Sequence, residues 1–257
     1  MTHEPTGSRR PAALRRAAPT PAFGPYHKVG ILSGFGSLAG AHFYKRLVEL
    51  TPASDDADHL PVVLMTDPST PSRLLHLAHR GPSPAPHLIR LAQSLVAAGA
   101  DLLVIPSATC HAYYHEVSAA VSAPILHLPT VVMRAVAAAG VRRLAVMATT
   151  PTVALGFYEG PAREAGVRLI APDAATQEDV MRVIRDIKAG REPAAARSQL
   201  ATLSTRPWAT GADGLLLGCT ELPAVYPHAL RPQTPPMLDA TDELARAVVR
   251  HFGRQPD

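Results

Sequence analysis

From Lys28 onward, short aliphatic or β-branched runs alternate with longer stretches in which apolar residues recur at helical spacing. Val29-Gly-Ile-Leu32 is an apolar run closed by Ser33-Gly-Phe-Gly36, and residues 38–50 then read as a helix stopped by Thr51-Pro52. Residues 60–65 predict a second strand, 86–98 a helix ended by Gly99, 102–105 a third strand, 113–121 a helix and 124–128 a fourth strand. The cycle restarts at Leu144-Ala-Val-Met147. Such alternation predicts an α/β fold whose mainly parallel sheet is covered on both faces, with ligand sites just beyond the carboxyl ends of the strands.

Ala100-Asp-Leu-Leu-Val-Ile-Pro-Ser107 and Ala212-Asp-Gly-Leu-Leu-Leu-Gly-Cys219 share Ala-Asp, an apolar run and a small nucleophile-like side chain six residues after the aspartate. Each half also opens on a basic residue followed by an apolar one, Lys28-Val29 and Arg143-Leu144. We read two pseudo-symmetric doubly wound domains, 27–140 and 141–250, the last helix returning to the first domain. Ser107 and Cys219 then stand at equivalent strand ends, facing one cleft.

The chain has 257 residues, 47% hydrophobic and 18% charged, enough for a large core and too many for a disulfide miniprotein. Two cysteines, Cys110 and Cys219, make neither a disulfide framework nor a four-ligand zinc site. Of the net charge of +4, +3 lies within residues 1–25, which carry Arg9, Arg10, Arg15 and Arg16 against Glu4. That stretch reads as a disordered basic tail without the apolar core of a secretory signal. The rest has no clustered basic-aromatic surface, so neither a nucleic-acid nor a membrane partner is expected. Apolar runs stop far short of a membrane span.

Cys219 lies in Leu217-Gly-Cys-Thr-Glu-Leu-Pro223. A glycine there lets backbone approach a ligand, and a following helix start, with cations nearby, would lower the thiol pKa; a buried packed cysteine is the equal alternative. In Pro106-Ser-Ala-Thr-Cys-His111, the serine needs an activating partner, and His111, four residues on, is a candidate. Helix capping explains Ser107 and Thr109 equally well. Cys110 is read as a packed thiol, and the scattered histidines lack metal-ligand spacing, so no metal is expected.

These residues, taken with Lys28-Val-Gly-Ile-Leu-Ser-Gly-Phe-Gly-Ser-Leu-Ala39, Asp67-Pro-Ser-Thr-Pro-Ser-Arg73 and Ile187-Lys-Ala-Gly190, resemble the cofactor-independent aspartate/glutamate racemases. The resemblance implies two cysteines flanking the substrate, one removing the α-proton and the other returning one to the opposite face, with no cofactor. It assigns Cys219 to the second cysteine, Arg73 and Lys188 to the two substrate carboxylates, and Thr109, Thr220, Gly36 and Ser37 to ligand contacts. Thr149 and Thr152 fall on the family's threonine-bearing turn, with Pro151 in place of its usual glycine. His111 and Glu221 are the auxiliary candidates.

The sequence departs from this pattern at the first cysteine, where the family's Pro-Cys-Asn-Thr is Pro106-Ser107-Ala108-Thr109. A thiol is a workable base near neutrality and an unassisted hydroxyl is not. The leading expectation is a racemase without pyridoxal phosphate, acting on a small dicarboxylic or amino acid, with Cys219 as main acid/base and Ser107 opposite. A decarboxylase or isomerase using Cys219 alone, and a non-catalytic carboxylate-binding protein, are the alternatives. A cytoplasmic homodimer is expected.

Overall fold

A computed structural model describes residues 27–227 and 235–256. The basic tail lies outside the described residues. The first half runs β1 (Val29–Ser33), α1 (Ser37–Leu50), β2 (Val62–Thr66), α2 (Arg73–Leu77), α3 (Ala85–Ala97), β3 (Leu102–Val104), a 3₁₀ turn (Ala108–Tyr113), α4 (Tyr114–Ala119) and α5 (Leu128–Ala138). The second runs β4 (Arg143–Met147), α6 (Thr150–Ala154), α7 (Glu159–Glu164), β5 (Arg168–Ile170), α8 (Ala174–Lys188), α9 (Pro193–Ser204), α10 (Pro207–Thr210), β6 (Gly214–Leu217), α11 (Leu222–Val225), β7 (Met237–Asp239) and α12 (Ala240–His251).

Two parallel sheets result, ordered β2-β1-β3 and β5-β4-β6-β7. The repeated aspartates explain their likeness. Asp101 accepts a hydrogen bond from the Lys28 N–H at 2.8 Å, and Asp213 accepts from the Arg142 and Arg143 N–H groups at 3.0 and 2.6 Å. Each carboxylate thus satisfies backbone donors at the entrance to its sheet's central strand, where the ladder has not begun.

The strand expected over 124–128 is reduced to one bridge, Leu103 to Ile125. Pro124 has no N–H to give, and Pro129 sits in the first turn of α5, which already begins at Leu128. Only the Pro124 carbonyl and the Leu126 N–H reach Leu103, at 2.9 and 3.1 Å. The helix expected over 113–121 is likewise shorter, because the 3₁₀ turn takes its first residue.

The apolar side chains form three layers. One central core joins both halves, with Ile31, Phe43, Leu128, Leu144, Leu216 and Val248 among its fully buried members. An outer layer backs each sheet, under α3 in the first half and under α8 and α9 in the second. The C-terminal helix α12 packs against α1 and α5, and Arg46 on α1 grips Asp242 on α12 through Nε and Nη2 at 2.6 and 3.0 Å.

Asp242 is almost buried, so losing its partner leaves an uncompensated carboxylate in the interface. Arg46→Ala is expected to cost about 2 kcal/mol in urea unfolding, and adding Asp242→Asn should recover part of that loss.

Candidate active site

The carboxyl ends of both sheets open on one cleft of about 140 Å³, lined by residues of both halves. From the first half, Asp67 ends β2's exit by accepting from the N–H and hydroxyl of Ser69, at 2.9 and 2.5 Å. Ser72 then caps α2 by accepting from the Leu75 N–H, which sets Arg73 at the helix start. Arg73 donates to the Phe35 carbonyl at 2.6 Å and the Pro71 carbonyl at 3.2 Å, and its guanidinium lies 5.3 Å from the Phe35 ring centre.

Ser107 follows β3 as the residue before the 3₁₀ turn, yet its hydroxyl makes no capping bond. Its nearest hydrogen-bonding neighbour is Thr109 Oγ1 at 3.4 Å. The capping alternative therefore does not account for this side chain, which lines the cleft.

From the second half, Gly218 and Cys219 leave β6 with both N–H groups on the Met147 carbonyl, at 2.8 and 3.2 Å. The Gly218 carbonyl accepts from the buried Tyr158 hydroxyl at 3.1 Å. Thr220 reaches across to the first half and donates to the Pro106 carbonyl at 2.9 Å, tying the two strand exits together. Thr149 caps α6 and bonds Thr152 Oγ1 at 2.9 Å. Lys188 ends α8, where the helix carbonyls favour a cation. The helix stops there because Gly190 takes φ +68°, and the Gly190 and Arg191 N–H groups return to the Ile187 and Asp186 carbonyls.

A buried chain of charge connects these groups. The Cys219 thiol donates to Glu221 Oε2 at 2.9 Å, while Glu221 Oε1 pairs with Lys188 Nζ, which also reaches the Phe35 carbonyl at 3.4 Å. Burial and the Glu221 carboxylate push the thiol pKa well up, and Lys188 only partly opposes them. The expected lowering of that pKa is therefore corrected. The following helix α11 has only four residues, and the cation meant to favour a thiolate is neutralised by Glu221. Cys219 rests as a thiol with a proton acceptor already attached.

Arg73, Ser107, Thr109, Thr149, Thr152, Lys188, Cys219, Thr220 and Glu221 all line the cleft. Gly36 does not, but a Cβ there would stand 2.2 Å from Glu221 Oε1, so glycine is what lets the loop close over the ion pair. Ser37 is exposed at the start of α1, outside the lining. His111 is the clear departure. Its Nδ1–H donates to the Ser107 carbonyl at 3.0 Å and its Nε2 accepts from the Leu128 N–H at 3.1 Å, so both ring nitrogens are spent on backbone. Burial lowers its pKa to about 4. It is a neutral strut beneath Ser107, not an activating base. Phe35, whose carbonyl takes both cations, was not singled out in the sequence; a carbonyl carries no side-chain signature.

Removing the Glu221 charge should release the thiol. Glu221→Gln is expected to speed alkylation of Cys219 by iodoacetamide at pH 7 about tenfold, equivalent to a pKa drop of roughly one unit. For His111, the unfolded chain takes up its proton as pH falls through 6.5, while the folded ring stays neutral to about 4. Stability is thus full above pH 6.5 and declines below it, by about 3 kcal/mol at pH 4 from this ring alone. The pH dependence of the urea midpoint should flatten in His111→Gln.

Comparison with known proteins bears on the fold and the family. The family model for Asp/Glu/hydantoin racemase matches residues 32–248. The broad specificity amino-acid racemase RacX of Bacillus subtilis is 26% identical over 228 residues, covering 87% of this chain and 97% of that protein. The aspartate racemase of Picrophilus torridus superposes with a TM-score of 0.79 at 26% identity, over 90% of this chain and 96% of that one. A glutamate racemase from Campylobacter jejuni shares the fold at a TM-score of 0.57 and 18% identity, over 90% and 87% of the two chains. With a family match spanning the two sheets and the cleft between them, the chain belongs to the Asp/Glu/hydantoin racemase family.

Proposed function

We propose that the protein is an amino-acid racemase of the aspartate/glutamate type, working without a cofactor at the α-carbon of a substrate held in this cleft. One observation carries the reading: the Cys219 thiol and the Ser107 hydroxyl, at equivalent strand ends of the two sheets, line a single cleft with Arg73 and Lys188. Membership of a racemase family supports an isomerase.

Arg73 is suited to take the α-carboxylate bidentately, which draws it off the Phe35 carbonyl. Cys219 passes its proton to Glu221 Oε2, and the thiolate removes the α-proton. The electron pair left behind spreads into the α-carboxylate, where Arg73 stabilises the growing charge. A proton delivered from the Ser107 side gives the opposite enantiomer. Lys188 keeps Glu221 in place and offers positive charge to a second carboxylate.

Charge balance supports an acidic amino acid. Arg73 and Lys188 stand against Glu221, one positive charge in excess. An aspartate or glutamate zwitterion carries one net negative charge and neutralises it; alanine would leave it uncompensated.

Incubation in deuterium oxide tests this. Aspartate should gain α-deuterium without carbon dioxide release, and alanine far less. Carbon dioxide release would point to the decarboxylase instead, and neither signal to a carboxylate-binding protein. Cys219→Ser should lower exchange at least about a thousandfold while the far-ultraviolet spectrum is unchanged. Exchange should be unequal for the two enantiomers, because only one face has a thiol, and Ser107→Cys should raise the slower one.

A further inference from the structure

The proposed reaction gives its protons to two groups on opposite halves of the chain, Cys219 after β6 and Ser107 after β3. Each is fixed within its own half. The Cys219 N–H bonds the Met147 carbonyl at 3.2 Å and the Cys219 carbonyl accepts from the Leu222 N–H at 3.0 Å, while Tyr158 holds the preceding Gly218 carbonyl. The Ser107 N–H bonds the Ile105 carbonyl at 2.7 Å, and its carbonyl accepts from the Cys110 N–H at 3.2 Å and from His111 Nδ1–H at 3.0 Å. All these bonds stay inside one half, so they orient the two groups without setting the distance between them.

The Thr220 hydroxyl crosses that gap. It donates to the Pro106 carbonyl at 2.9 Å, from a side chain only 3% exposed to a carbonyl 114 residues away. Its Cα is one peptide unit, about 3.8 Å, from that of Cys219, and the Pro106 carbonyl belongs to the peptide unit that ends on Ser107. The bond therefore couples the backbone frames that carry the two reacting side chains. A β-branched side chain is short and stiff at χ1, so the coupling has little play. Lys188 also reaches the first half, through the Phe35 carbonyl, but at 3.4 Å and with a charge that the proposed reaction offers to substrate. A hydroxyl has one proton, and here Pro106 holds it; Thr220 is left able to accept from a ligand and not to donate to one.

We propose that Thr220 is the positioning residue that sets the separation of Cys219 and Ser107, and with it whether a proton removed on one face is replaced on the other. The inference rests on the racemase reading of the cleft. Inversion needs both groups within reach of one α-carbon at the same time, whereas exchange with retention needs Cys219 alone. Reacting groups displaced by about 1 Å lose on the order of a hundredfold in rate. Losing the hydroxyl leaves the Pro106 carbonyl without its Thr220 donor in a buried place, which favours its turning to water and parting the two strand exits. Cys219 keeps Glu221 as its proton acceptor in that event, so its own face continues to exchange. The intermediate then returns to the starting enantiomer more often than it crosses over.

Two rates are followed in deuterium oxide with the faster-exchanging enantiomer of aspartate: appearance of its mirror image, and deuterium in the starting enantiomer recovered. Thr220→Val keeps the branched shape and removes the hydroxyl. It should lower the first rate at least about thirtyfold and the second no more than about threefold, so that their ratio falls about tenfold. Thr220→Ser, which keeps the hydroxyl, should bring the ratio back to within about threefold of the unaltered protein. Equal losses in both rates would make Thr220 a residue of the fold or of ligand binding alone and overturn the proposal, as would an unmoved inversion rate or a failure of serine to restore the ratio. Independently of turnover, a short bis-alkylating thiol reagent measures the gap in Ser107→Cys, where it can bridge to Cys219. Adding Thr220→Val, or Thr220→Ala if the valine protein does not fold, should cut the bridged fraction at least about fivefold; an unchanged fraction overturns the proposal. Absence of both rates in the unaltered protein would instead overturn the racemase reading, with the bridged fraction still deciding whether Thr220 sets the gap.

Discussion

Parallel pairing is the constraint from which the rest of this molecule follows. A strand that must run parallel to its neighbour has to be carried back by a crossover, so all carboxyl ends emerge at one edge of the sheet. Here two sheets obey this rule around one shared core, and their carboxyl edges open on the same cleft. The Thr220 bond to the Pro106 carbonyl joins the two exits directly. Asp101 and Asp213 hold the opposite ends, where each central strand begins.

Within the cleft, the decisive interaction is the buried carboxylate of Glu221. It accepts from the Cys219 thiol on one oxygen and pairs with Lys188 on the other. A buried charge that lacks partners is expensive, so these contacts hold the cysteine as a protonated thiol and the lysine close to the loop at Phe35. The same arrangement gives the thiol an immediate acceptor. In the proposed reaction, acid and base character at Cys219 would be two states of this one hydrogen-bonded pair.

The two faces of the cleft are built unequally. Cys219 lines the cleft, whereas the first half presents Ser107 there and keeps its own cysteine, Cys110, fully buried outside the lining. His111 props up the Ser107 backbone and the start of α5 with both ring nitrogens, which keeps the serine in place but denies it an imidazole base. Asymmetry between the faces is thus a matter of side-chain reach as much as of residue type.

Much of this was legible in the chain itself. The alternation of apolar runs and helical segments, the repeated Ala-Asp before a strand, and the glycine and proline punctuation determined two parallel sheets and pointed to the residues after β3 and β6, because these patterns are local and backbone-driven. Tertiary structure alone decided the rest. The fourth strand of the first half shrank to a bridge between two prolines. His111 turned to backbone because the Leu128 N–H at the head of α5 needed an acceptor. Lys188 met Glu221, 33 residues away in sequence, and burial together with the Glu221 carboxylate raised the Cys219 pKa where a lowering was expected. Burial and long-range charge depend on which elements pack together, and no spacing along a single chain carries that information.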